Sequence, residues 1–115
     1  MSIPAERQSG VPTTHVHGVP DDALIVDVRE PSEWAAGHAP NAIHIPLGEL
    51  PSRIAELPDT DETIAITCRG GGRSSRAVMW LTQQGFDVAN LDGGMKAWEA
   101  AGKPLEGEHH EPFVL

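Results

Sequence analysis

The sequence predicts an α/β fold built on a parallel sheet with helices on both faces. Three observations carry that expectation. Short apolar runs rich in β-branched residues recur along the chain, bounded by turn residues. Segments with apolar residues at helical spacing stand between them. The 115 residues fit one domain with one core. Strands that alternate with helices in this way form parallel sheets, and ligands then bind outside the carboxyl ends of the strands.

In chain order, residues 1–11 are polar and punctuated by Gly and Pro, and read as a loose, flexible arm before a domain over 12–104. Leu24–Val28 reads as a buried strand. The segment PSEWAAGH after it reads as a short helix, with Ser32 as N-cap and Gly37 as its stop. Ala42–Ile45 is a brief strand. Gly48–Glu56 places Leu50 and Ile54 four apart, which suits one helix face. Thr63–Thr67 is the next buried strand. Ser74–Gln84 reads as a helix with Ala77, Val78 and Leu81 inward and Gly85 at C′. Val88–Leu91 is a strand. Met95–Ala101 is a helix with Met95 and Trp98 on one face, ended by Gly102 and Pro104. The tail over 105–115 has no clear period.

Charge and composition narrow the function. The net charge of −9 opposes general nucleic-acid binding, which needs Lys and Arg to neutralise phosphates, and opposes docking on an anionic membrane. No apolar run approaches the ~18–20 residues that span a bilayer. A single cysteine excludes an internal disulfide. A lone thiol and an N-terminus without an apolar leader core suggest a reducing, cytoplasmic setting.

The chemistry concentrates in TIAIT-CRGGGR-SSRAVMWL, which reads strand, glycine loop, helix. A lone cysteine is ordinarily a small buried hydrophobe, and an Arg cluster is ordinarily a solvated helix face. Here Cys68 ends a strand, opens the loop Gly70-Gly71-Gly72, and lies beside Arg69, Arg73 and Arg76. Glycines let successive N–H groups turn inward as a nest, and a helix starting near Ser74 adds free N–H groups and its positive dipole end. Such surroundings lower a thiol's pKa and generate the thiolate without a histidine base. The phosphate-loop pattern GxxxxGK[ST] is absent.

Elsewhere the expectations are structural. Asp27 and Arg29 end a strand and are expected to tie it to the active loop by an ion pair, in the form Asp27 to Arg73. Direct substrate contact by Arg29 is the alternative. Trp34, Met95 and Trp98 are expected in the core, His38 as a hydrogen-bonded turn residue, and Asp92 as a turn or N-cap residue. His109 and His110 are adjacent and lack a metal-ligand spacing, so neither a metal nor another cofactor is expected.

The segment around Cys68 resembles the active-site loop of the rhodanese family. LIVDVREPSEW at 24–34 and GHAPNAIHIPL at 37–47 resemble its first two motifs, and LDGGMKAW at 91–98 followed by AGKP resembles its C-terminal motif. The resemblance covers about residues 22–104. It implies a three-layer αβα sandwich around a five-stranded parallel sheet, with a first strand near His15–Val16 and a following helix shortened to about HGVPDD. Ala39 and Asn41 depart from the family pattern, which implies small repacking. The resemblance further implies a sulfurtransferase. Sulfane sulfur would pass from thiosulfate or a persulfide donor to Cys68 and on to a thiol or cyanide acceptor, a protein thiol included. The catalytic residue would be Cys68, with Arg69, Gly70, Gly71, Gly72, Arg73 and Ser74 around the substrate and Arg69 and Arg73 on the donor's oxygens. Loop length separates this chemistry from that of related phosphatases. The six residues Cys68–Arg73 (C-x4-R) match sulfur transfer, whereas the phosphatases carry C-x5-R. The alternative is a non-catalytic binding or regulatory module on the same fold. The presence of Cys68, both arginines and the glycines weighs against it.

Overall fold

The computed structural model describes residues 3, 5–8, 10–108 and 110–115, so the expectation for His109 lies outside the described residues. Six strands form one sheet: β1 (Glu6–Gln8), β2 (Val11–Thr14), β3 (Ile25–Asp27), β4 (Ala42–His44), β5 (Ile64–Thr67) and β6 (Val88–Leu91), in the order β1-β2-β6-β5-β3-β4. The five strands from β2 to β4 are mutually parallel, as expected, and β1 is added antiparallel at the β2 edge. The helices are α1 (Pro31–Ala36), α2 (Gly72–Gln83) and α3 (Gly94–Ala100).

Alternation along the strands separates two cores. Val26, Ile64, Ile66 and Val88 meet Ala77, Val78 and Leu81 of α2, whereas Ile25, Ala65 and Leu91 meet Met95 and Trp98 of α3. Successive strand residues point to opposite faces, so a sheet buried on both sides must be apolar at nearly every position. IAIT and VANL meet that demand with all four residues buried.

Four local expectations change. The arm over 1–11 is in part a strand, because Gly10 at φ 80 turns the chain back and lets Glu6–Gln8 pair with β2, while Ile3 is buried against the α3-side core. The first parallel strand is Val11–Thr14 rather than His15–Val16, and a single 3₁₀ turn at Val16–Gly18 follows it. Gly48–Glu56 is not an α-helix but two 3₁₀ turns, Leu47–Glu49 and Pro51–Glu56. Pro51 has no N–H to continue a helix from the preceding turn, and Arg53 breaks the dihedral pattern. Helix α1 is capped by Glu30 rather than Ser32, through a reciprocal box in which Glu33 accepts from the Glu30 N–H.

The tail is packed. Glu106 bridges His38, the Glu108 and Phe113 N–H groups donate to Ala35 and Ala36 carbonyls, and Val114 is buried. Among the described residues no helix is long and apolar enough to cross a membrane.

Candidate active site

Strand β5 delivers Cys68 to the carboxyl edge of the sheet. The loop then passes Arg69 and Gly70, turns at Gly71 with φ 112, and enters α2 at Gly72. A positive φ of that size is natural only for glycine. It curls the backbone so that the Gly71 N–H donates to Cys68 Sγ at 3.1 Å. The amides of Arg73 and Ser74, in the first turn of α2, also face the sulfur. The nest expected from three glycines is therefore present. Its donors are Gly71 and the helix start, and Gly70 and Gly72 serve as open, exposed spacers.

These contacts decide the thiol's acidity. Burial pushes the Cys68 thiol up and is the largest single influence. The Ser74 hydroxyl and the amides of Ser74, Gly71 and Arg73 pull it down, and together they prevail, leaving the thiol below its ordinary value. Cys68 is only 1% exposed, and the loop beside it runs through three glycines. No side chain stands on that part of the loop. A cleft of about 360 Å³ flanks it, lined by Val11, Thr13, Ser75, Asn90 and Asp92 with the three glycines.

The loop is also held from behind. Met95 and Lys96, in the first turn of α3, donate their N–H groups to the Cys68 and Arg69 carbonyls at 2.8 and 3.0 Å. This approach requires glycine at 94. A Cβ there would lie 2.5 Å from the Cys68 oxygen and 2.6 Å from the Arg69 oxygen, on a backbone at φ 58. The DGGM segment thus sets the position of the Cys68 backbone through its carbonyl.

The arginines are arranged differently from expectation. Arg73 does not pair with Asp27. It forms a two-pronged ion pair with Glu33 of α1, at 2.7 and 2.9 Å. Asp27 pairs with Arg29 instead, through contacts of 2.6–3.0 Å, and both are fully buried. Arg29 also donates to the Gly37 carbonyl, so it ties β3 to the end of α1. Arg69 is exposed and its Nε donates to the Leu115 backbone oxygen at 2.9 Å, away from the sulfur. Arg73 is thus engaged with a carboxylate and Arg69 with the tail.

Three expectations of bland roles stand. Met95 and Trp98 are fully buried, His38 bonds the Trp34 carbonyl through Nδ1, and Asp92 is a turn residue whose N–H meets Thr14. Trp34 is only partly buried; the rings of His38 and His44 stack on it at centroid distances of 3.6 and 4.8 Å.

Sequence reasoning missed Glu33 and Asn90. The Glu33 carboxyl is held at about pKa 2, chiefly by its hydrogen bonds from Arg73, against the opposing effect of burial. A depressed carboxylate contributes stability above its unfolded pKa and loses it as pH falls through the folded value. We expect Glu33→Gln to lower stability at pH 7 by about 1–2 kcal/mol. Melting wild type and variant in parallel should show the gap closing between about pH 4.5 and about pH 2. A gap that persists unchanged at acid pH would show that the carboxylate charge is not its source.

The Rhodanese-like domain model matches residues 15–101. The chain belongs to the rhodanese family. A protein of Allochromatium vinosum named "Sulfurtransferase" is 43% identical over 86 residues, covering 74% of this chain and 79% of that protein. A rhodanese-related protein of Thermoplasma volcanium superposes with a TM-score of 0.75 at 31% identity, over 82% of this chain and 96% of its own. The rhodanese-like domain of an Anabaena protein gives a TM-score of 0.73 at 31% identity, over 90% and 86%. The fold expected for a rhodanese is therefore the one present, extended at one edge by β1.

Proposed function

We propose that this chain is a sulfurtransferase that carries sulfane sulfur as a persulfide on Cys68. The observation that carries the reading is the set of N–H donors from Gly71, Arg73 and Ser74 around Sγ, supplied by the six-residue Cys68–Arg73 loop and the residue after it. The names of its relatives support sulfur transfer in general. The cradle is small and lined by N–H donors, so it suits one added sulfur atom that bears a negative charge.

The reaction has two displacements. The Cys68 thiolate attacks the outer sulfur of a donor such as thiosulfate or a low-molecular-weight persulfide. The Sγ–S bond forms as the donor's S–S bond breaks, and the electron pair leaves with sulfite or the donor thiolate. The terminal sulfur then carries the charge, and preorganised N–H groups stabilise it. An acceptor thiolate or cyanide attacks that outer sulfur, and the Sγ–S pair of electrons returns to Cys68. The order is ping-pong, with no cofactor in the cycle.

The charged residues bear on donor choice. Arg73 is neutralised by Glu33 and Arg69 rests on Leu115. Binding an anionic donor through Arg69 would require that side chain to leave the tail. Small anionic donors are therefore held mainly by backbone amides, and thiosulfate is not strongly preferred over a persulfide.

The test is to assay transfer from thiosulfate and from a persulfide donor, to cyanide and to a thiol, beside hydrolysis of an aryl phosphate. Sulfur transfer without phosphate hydrolysis is expected, because a phosphoryl group with three equatorial oxygens needs a wider ring of donors. Phosphate hydrolysis without sulfur transfer would overturn the reading. Absence of all turnover would instead favour a binding or regulatory module.

A further inference from the structure

Asn90 is the third residue of β6, in a strand otherwise apolar, and it is buried. A polar side chain there must find partners. Its Nδ2 donates to the Gly71 carbonyl at 3.3 Å. That oxygen only accepts, which fixes the orientation of the amide and turns Oδ1 toward Ser74. Ser74 Oγ lies 2.5 Å from Asn90 Oδ1, 3.2 Å from the Gly71 carbonyl and 3.3 Å from Cys68 Sγ. A hydroxyl has one proton, and here it faces three acceptors. Two oxygens 2.5 Å apart need a proton between them, and only Ser74 can supply it.

We propose that Asn90 is a positioning residue that holds the Ser74 hydroxyl proton away from Cys68 in the resting thiol and yields it when Sγ carries charge. This rests on the reading of Cys68 as the sulfur-carrying nucleophile. In the thiol state Ser74 offers Sγ a lone pair, which accepts the S–H and favours its retention. In the thiolate state the hydroxyl turns to donate to Sγ, giving up its bond to Asn90, and the two oxygens draw apart to an ordinary van der Waals separation. No proton is transferred in that rotation; the thiol proton goes to solvent. When sulfur is loaded, the charge moves to the outer sulfur and the hydroxyl can return to Asn90. The amide thus moderates a nest that would otherwise acidify the thiol further, and a thiolate of very low basicity is a poorer nucleophile.

The charged groups on the elements around this sulfur include Lys96 of α3, which is paired with Glu99. Arg73 of α2 is paired with Glu33 of α1, Asp27 and Arg29 of β3 are paired with each other, Asp92 follows β6, and Arg69 is turned to the tail. The bonds described for Ser74 and Asn90 involve none of them.

The experiment is a double-mutant cycle read by iodoacetamide alkylation of Cys68, at a fixed pH below the wild-type midpoint and again on the alkaline plateau. Asn90→Val should alkylate about tenfold faster at the lower pH, because Ser74 is then free to donate to the thiolate, and no faster on the plateau. In a Ser74→Ala background the same substitution should change the rate by less than about twofold. Asn90→Ala provides the second variant if valine does not fold, and circular dichroism verifies folding of each. Equal acceleration in both backgrounds would indicate a merely loosened loop and would overturn the proposal. So would no change, or a slowdown, in a folded Asn90 variant. Alkylation does not depend on sulfur transfer. If wild-type Cys68 accepts no sulfur, the function proposed above fails while this network is judged on its own readout.

Discussion

Cys68→Ser is expected to abolish sulfur transfer while leaving the fold intact. A serine oxygen fits the same nest of N–H groups, but a hydroxyl is scarcely ionised at neutral pH and forms no bond to sulfur equivalent to a persulfide. Loss of a nucleophile in covalent catalysis costs roughly 10⁴-fold or more in turnover. The side chain becomes smaller and stays hydrogen-bonded to Gly71, so the stability change should stay within about 1 kcal/mol. Steady-state transfer from both thiosulfate and a persulfide donor, beside a thermal melt, checks both halves. Residual transfer above about 10% of wild type would remove Cys68 from the centre of the reaction.

Gly94→Ala should damage both stability and turnover from outside the loop itself. It incurs two costs. A non-glycine residue in the left-handed region costs about 1–2 kcal/mol. The new methyl would also lie 2.5 Å from the Cys68 carbonyl oxygen and 2.6 Å from that of Arg69, both backbone atoms. Relief requires the loop and the start of α3 to separate, breaking the bonds from Met95 and Lys96. We expect a loss of about 2–4 kcal/mol in stability. Displacing the nucleophile by about 1 Å should cost ~100-fold in rate. Gly102→Ala is the control. Its φ is 72, yet nothing lies within 4 Å of the Cβ position, so it should show the backbone strain alone and keep full activity. If both substitutions lower the melting temperature equally and neither affects turnover, α3 does not hold the loop.

What could be read from the sequence follows the range of each signal. Ile64–Thr67 and Val88–Leu91 were legible because burial on both faces demands continuous apolar runs. The glycine nest was legible because Cys68, Gly71 and Ser74 are sequence neighbours. β2 was not, since Pro12 and two threonines disguise Val11–Thr14, and only Thr13 and Thr14 are in register with β6. The helix over Gly48–Glu56 rested on two apolar residues, and Pro51 outweighed them. The partners of the arginines were misjudged because ion pairing is decided across the fold. Glu33 lies 40 residues from Arg73, and nothing local connects them. Asn90 did leave a signal: a carboxamide inside a buried apolar strand needs partners, and the strand's end faces the glycine loop. Tail packing of Val114 against the α3-side core was hidden in a segment without a period.

Mass spectrometry of the intact protein, desalted without reductant after exposure to a persulfide donor, tests the central claim most directly. The account predicts a gain of one sulfur atom, located at Cys68 by peptide fragmentation, removed by cyanide or a thiol, and absent in Cys68→Ser. A folded wild-type protein that gains no sulfur from thiosulfate or from a persulfide donor would contradict it.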